Sequence, residues 1–263
     1  MRSQTVDWKA LRVEVLETFT PGPAINEVAQ FAGRKATIQR LQDIAIERAR
    51  HAMIFGERGV GKTSLANIFY KDLHSTTKNV QEIVVDADTS DSFDSLWRKV
   101  FRRIKWPNES ETLDLQFPQA IEPDHVFIQL SRFSQNEIPI IIIDEYDRIR
   151  DETCRVLMTD LIKALARTQN NPTLVLVGVA ENILDLVRDH GSISRNLVQV
   201  PMHRMTNEEI TEVVASRIRR LRMKITSDAL WRICYFFVRA PFLCAFPRKV
   251  QCPCGYREGE IGD

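Results

Sequence analysis

The 263-residue sequence has almost no net charge: 36 Lys and Arg stand against 35 Asp and Glu, leaving a formal +1. So even a balance gives no reason to expect strong nonspecific binding to nucleic acid and leaves room only for a local basic patch. Glycine and proline are scarce, at ten and eleven, which excludes fibrous and low-complexity architectures. No apolar run approaches the roughly 20 residues that a membrane helix needs, so no membrane partner is expected. The opening residues Met1-Arg2-Ser3-Gln4-Thr5-Val6-Asp7-Trp8 lack the apolar stretch of a signal peptide, and a cytoplasmic protein is the expectation. Cysteine is sparse too. Cys154 and Cys234 sit in amphipathic stretches, while Cys244, Cys252 and Cys254 crowd the last twenty residues. Cys252-Pro253-Cys254 has neither the C-x-x-C spacing nor the following His of a zinc site, so it reads as an incidental tail.

Hydrophobic residues at 44% and charged residues at 27% support a sizeable core, in one α/β domain with or without a small appendage. Ile38, Leu41, Ile44 and Ile46 mark an amphipathic helix within residues 25–50, after an irregular Pro21-Gly22-Pro23 segment. His51-Ala52-Met53-Ile54-Phe55 reads as a buried strand stopped by glycine, followed by a helix from about Lys62 to Leu73. Ile83-Val84-Val85 forms a second strand ending in Asp86 and Asp88, and Phe93, Leu96, Val100, Phe101 and Ile104 recur at helical spacing. A loop is expected from Pro107 to Pro123, then a helix to about Phe133. Ile138-Pro139-Ile140-Ile141-Ile142-Ile143 is the most apolar run, the pattern of a parallel strand buried on both faces. Leu157, Leu161, Ile162 and Leu165 mark a helix. Thr173-Leu174-Val175-Leu176-Val177 forms a strand, Leu184–Val187 lies in another helix, and Leu197-Val198-Gln199-Val200 is a short strand. Strands alternating with helices imply a parallel sheet with helices on both faces. Right-handed crossovers then bring the C-terminal ends of the strands to one edge, where ligands bind.

Gly56-Glu57-Arg58-Gly59-Val60-Gly61-Lys62-Thr63 fits G-x-x-x-x-G-K-[ST] without deviation. Glycines let backbone N–H groups converge on phosphate oxygens, and the following helix points its positive end at the same charges. Lys62 supplies a point charge to the β- and γ-phosphates, and the Thr63 hydroxyl is a Mg²⁺ ligand, with Ser64 its weaker neighbour. A strand leads in and a helix leads out, as the mechanism requires. The isoleucine strand runs straight into Asp144-Glu145. A carboxylate at the end of a neighbouring strand can hold Mg²⁺, usually through water, which assigns Asp144 to the metal. Glu145 points differently and can polarise a water for in-line attack, so the pair argues for hydrolysis. Tyr146, Asp147 and Arg148 carry no assignable role.

These motifs resemble the AAA+ ATPases. Phe31-Ala32-Gly33-Arg34, the phosphate loop, Ile140-Ile141-Ile142-Ile143-Asp144-Glu145 and Val175-Leu176-Val177-Gly178-Val179 resemble most the branch with origin-recognition-type initiator ATPases and the related signalling (STAND) ATPases, over roughly residues 25 to 237. The resemblance implies a P-loop NTPase fold, a three-layer α/β/α parallel sheet with a partial C-terminal helical lid. It implies ATP as the nucleotide, since no guanine-reading Asn-Lys-x-Asp follows the fourth strand. It places Gly33 and Arg34 near the adenine and nominates Asn182 as the polar residue that senses the γ-phosphate. Arg195 takes the place of an arginine that completes a neighbouring subunit's site, which implies a homo-oligomer or protein partner.

The organisation expected is a flanking segment and helix over residues 1–50, an ATPase core over 51–204 and the start of a helical lid over 205–237. In the lid Thr206-Asn207-Glu208-Glu209 forms a capping box, and Ile210, Val213, Val214, Ile218 and Leu221 form its apolar stripe. Arg217, Arg219, Arg220, Arg222 and Lys224 concentrate charge there; an ordinary solvated helix face is preferred over a DNA-phosphate surface. Residues 238–263 lose periodicity. With one set of codons for Val238 to Val250, reading one base later gives Ser-Gly-Leu-Pro-Phe-Tyr-Ala-His-Ser-Leu-Gly-Lys, which resembles the small-residue turn and helix, bearer of a second sensor, with which the lid continues in the AAA+ family. We therefore expect a frameshift near residue 238, which would remove the second sensor and weaken hydrolysis; close relatives sharing this tail would overturn it. The function expected is an Mg-dependent ATP-hydrolysing switch coupled to duplex DNA or a protein. The alternative is a nucleotide-dependent binding module with little hydrolysis, and a metabolic kinase is a weaker third reading.

Overall fold

The computed structural model describes residues 7–19, 34–47, 49–77, 79–106, 109, 111–167, 172–179 and 196–239, with side chains to residue 235. Five strands form one sheet: β1 (His51–Gly56), β2 (Val80–Asp86), β3 (Ile138–Asp144), β4 (Thr173–Gly178) and β5 (Leu197–Met202), in the order β2-β3-β4-β1-β5. Every pairing is parallel. The isoleucine run shows why both faces must be covered. Ile140 and Ile142 enter a core with α2 (Lys35–Ile46) and α3 (Lys62–Thr76). Ile141 and Ile143 enter the opposite core, with α4 (Phe93–Phe101), α5 (Pro123–Leu130) and α6 (Glu152–Leu165). Period-2 side chains therefore build two cores from one strand, giving the three layers of a P-loop fold.

Several elements depart from the sequence reading. α1 (Trp8–Phe19) lies in the flanking segment, where no helix was expected; Trp8, Val13 and Leu16 stay exposed, so no inward stripe announces it. In α2, Ile38, Leu41 and Ile44 are buried, while Ile46 is 52% exposed at the helix end. The helix expected to reach Phe133 stops at Leu130, with Ser131 as its C-cap. Within the expected loop, Leu113–Gln116 makes a 3₁₀ turn that buries Leu113. Arg98 on α4 holds this excursion by donating to the carbonyls of Asp114, Phe117 and Gln119.

After β5 come α7 (Asn207–Arg220) and α8 (Ser227–Arg239). Thr206 accepts from Glu209 N at 3.2 Å and its own amide donates to the Glu209 carboxylate at 2.9 Å, closing the capping box. Ile210, Val214 and Cys234 form a small core separate from the sheet, with Ile218, Leu230 and Ile233 against it; Val213 is only half-buried. Among the described residues no helix is long and apolar enough to cross a membrane. The expected tail of 238–263 lies almost wholly outside the described residues, as does the helix expected around Leu184–Val187.

Candidate functional site

β1 ends at Gly56, and its register partner is Met202 at the end of β5. A Cβ on Gly56 would sit 2.2 Å from the Met202 carbonyl oxygen, so only glycine lets the two backbones meet. The chain then turns through the left-handed residues Gly59 (φ 80°) and Gly61 (φ 87°) into the first turn of α3. Val60 is buried against the α2–α3 core and anchors the loop from within, while Glu57, Arg58 and Gly59 stay exposed. Lys62 Nζ donates to the carbonyls of Gly56 at 3.0 Å and Glu57 at 2.8 Å. Burial lowers the Lys62 pKa, Arg58 adds to this, and Asp147 and Asp144 oppose it. Ser64 follows in the first turn of α3, half-buried.

β3 delivers Asp144 beside this loop. Thr63 Oγ1 donates to Asp144 Oδ2 at 2.6 Å, and the Glu145 amide donates to Asp144 Oδ1 at 2.7 Å. Asp144 as a whole is 6% exposed. Burial raises its pKa, the nearby Asp86 and Glu145 carboxylates add to the rise, and the two hydrogen bonds oppose it. Thr63 and Asp144, separated by 81 residues in sequence, thus present a hydroxyl and a carboxylate to one point. That donor set suits Mg²⁺, which keeps several waters and takes one or two protein oxygens. Among the described residues no group of three His, Cys, Asp or Glu side chains could hold a metal.

Glu145 lies in the left-handed region at φ 53°. Its carboxylate is half-exposed and accepts from Arg148 Nη1 at 2.5 Å. Around this pair the structure supplies groups that the sequence reading left without a role. Asp86 stands in register with Asp144. Asp147 accepts from the Val179 amide at 3.0 Å, tying the β3 end to the β4 end. Tyr146 is buried in the core. Arg204, just past β5, clasps the Glu57 carboxylate at 2.8–2.9 Å. The signal for Asp86 was its place at a strand end and that for Arg148 its i,i+3 spacing from Glu145; Arg204 carried no local signal.

Arg34, which the resemblance places near the adenine, lies between the phosphate loop and the end of β5. The side chain is 9% exposed, and its donors go to Val60 O at 2.7 Å, Met202 Sδ at 3.3 Å and His203 O at 2.8 Å. Its guanidinium braces the phosphate loop against the chain leaving β5. Gly33, Asn182 and Arg195 lie outside the described residues.

A family described as "AAA domain" matches residues 44–187, more than half of the chain. No curated protein matches the sequence. Among solved structures, a Walker-type ATPase of Pyrococcus abyssi superposes with a TM-score of 0.62 at 14% identity, covering 81% of this chain and 65% of its own. The ORC1 protein of Aeropyrum pernix in complex with DNA gives a TM-score of 0.57 at 16% identity, covering 84% and 58%. The ORC2 protein of the same organism, in ADPNP and ADP complexes, gives 0.56 at 16%, covering 77% and 55%. The chain thus spans less than two thirds of the length of each, and at these identities the likeness is one of fold.

Proposed function

The chain belongs to the AAA-domain family of nucleotide-binding ATPases, and from that premise we propose that it binds ATP with Mg²⁺, hydrolyses it, and passes the nucleotide state through α7 and α8 to a partner. The observation that carries this is the 2.6 Å bond from the Thr63 hydroxyl to Asp144, at the mouth of a phosphate loop whose glycines and lysine are all in place. In this reading the loop amides and the N-terminal end of α3 hold the phosphate oxygens. Lys62 leaves the Gly56 and Glu57 carbonyls for the β- and γ-phosphates. Thr63 and Asp144 hold the metal, which when bound neutralises charge on the phosphates. Glu145 orients a water and takes its proton as the water attacks the γ-phosphorus, giving ADP and inorganic phosphate. Asn182 and Arg195 are proposed as the γ-phosphate sensor and the arginine offered to a neighbouring copy, and the chain as acting in the cytoplasm.

Duplex DNA is the partner we favour, with the DNA complex of the Aeropyrum pernix ORC1 protein in support. The second reading, a nucleotide-dependent binding or signalling module that scarcely turns over, draws on one observation: Arg148 occupies the Glu145 carboxylate. Steady-state ATP turnover with and without duplex DNA, with Glu145→Gln as the blank, separates them. Turnover above the blank supports the ATPase, and stimulation by DNA supports the partner. Turnover equal to the blank, with ATP binding intact, favours the binding module.

A further inference from the structure

α7 ends in a turn whose residues do not balance their charge. Arg219 and Arg220 lie in its last turn, and Arg222 and Lys224 just beyond; all four are exposed. No Asp or Glu occurs between Glu212 and Asp228, and those two flanking carboxylates are already engaged, Glu212 with Lys35 and Asp228 with Arg232. Among the described residues none of the four cations has an ion-pair partner. Arg217, the fifth cation here, lies over the Phe19 ring of α1 instead.

Helix C-termini attract cations, which accounts for Arg219 and Arg220. Arg222 needs another reason. The Arg222 amide donates to Arg219 O and the Met223 amide to Ile218 O, the paired bonds of a Schellman ending. Arg222 fills the left-handed position of that motif at φ 54°, where glycine avoids a Cβ clash and is the usual occupant. A long cation is held where folding alone favours glycine, and strained residues of this kind gather at functional sites.

Resting on the reading of DNA as the partner, we propose that the tip of the α7–α8 pair is a docking surface for the phosphate backbone of duplex DNA. Four cations within six residues match the close phosphate spacing of a duplex. The groove beside the tip, lined by Thr211, Ser227, Leu230, Trp231, Cys234 and Tyr235, carries no cation to hold an acidic peptide, and Met223, 42% exposed, is the large apolar side chain that residues 219–224 expose, little for a lipid surface. The contacts read charge and not sequence, so affinity falls with salt.

The test uses the full chain. Binding of a fluorescent duplex is followed by anisotropy over a salt series for the wild type, for Arg219→Glu/Arg220→Glu/Arg222→Glu/Lys224→Glu, and for Arg222→Gly. The wild type binds with a steep slope of log affinity against log salt. The fourfold variant loses about three to four from that slope, and more than about tenfold in affinity at moderate salt. Arg222→Gly binds more weakly yet melts at an equal or higher temperature, an outcome that a purely structural role for Arg222 does not produce. DNA-free ATP turnover stays unchanged in both variants. If the fourfold variant binds DNA with the wild-type slope, the surface lies elsewhere and this inference falls while the DNA reading stands. If the wild type binds no duplex even at low salt, the DNA reading falls and takes the inference with it. Binding of an acidic peptide or anionic vesicles instead, abolished by the same reversals, overturns it in favour of that partner.

Discussion

Burial and chemistry pull against each other at Asp144. The proposed metal role needs the ionised form, while burial and the facing Asp86 and Glu145 carboxylates raise the pKa above the ordinary carboxylate value. A carboxyl with a raised folded pKa holds its proton more tightly in the folded chain. Stability is therefore greatest below the unfolded pKa near 4 and declines as pH climbs to the raised folded value. Asp144→Asn removes that decline and keeps one of the two accepted hydrogen bonds. Its stability at pH 7 is expected to lie within about 1 kcal/mol of the wild type, while Mg²⁺-dependent turnover falls by about two orders of magnitude. Urea melts at pH 4 and 7 with a Mg²⁺ titration of turnover check both halves. A loss of several kcal/mol would show that the carboxylate is structural. Residue types at this site were legible because phosphate chemistry needs a fixed string of residues. Arg204 was not, since its partner Glu57 lies 147 residues away and is fixed only by how the chain folds; Arg148 stands three residues from Glu145, a local spacing whose meaning depends on the turn that follows β3.

His51 acts at the level of strands. It opens β1, its amide donates to Asn196 O at 2.7 Å, and its Nδ1 accepts from the Leu174 amide of β4 at 3.1 Å. Being fully buried, it has its pKa pushed down to about 4. The folded chain thus resists protonation that the unfolded chain accepts near pH 6.5. The stability is fully present above pH 6.5 and is lost as pH falls toward 4, by up to about 3 kcal/mol. His51→Asn retains an acceptor for Leu174 and does not titrate, so it should flatten this acid limb by about that amount, at some loss of packing at pH 7. Denaturant midpoints at pH 7 and 4.5 measure it; an unchanged acid limb would place the sensitivity elsewhere. The strands themselves were legible because β3 and β4, buried on both faces, read as unbroken apolar runs. The excursion after α4 was legible as a loop, but its course was not. It is held by Arg98 reaching carbonyls 16 to 21 residues away, and no periodicity records such a reach. α1 escaped for a related reason, its large apolar side chains facing out.

Across the whole molecule, the path from phosphate loop to α7 runs through arginines. Arg34 joins the start of α2 to Val60 in the loop and to His203 beyond β5, Arg204 returns from there to Glu57, and Lys35 reaches Glu212 on α7. These links differ in weight. The Arg204–Glu57 and Lys35–Glu212 pairs are exposed and contribute at most about 1 kcal/mol each. Arg34 is buried, with its pKa lowered by that burial and partly restored by Glu209 on α7. Arg34→Met fills a similar space and leaves the carbonyls of Val60 and His203 without their donor. It is expected to destabilise the fold by about 2–4 kcal/mol and to weaken nucleotide binding by at least about tenfold, because Val60 is the inner anchor of the loop. Arg204→Ala should change stability by less than about 1 kcal/mol. Denaturant unfolding and titration with a fluorescent nucleotide, run on both variants, distinguish a brace from an adenine contact. An adenine-contacting Arg34 would lower affinity and leave stability intact; a brace lowers both together, and does so for adenine and guanine nucleotides alike.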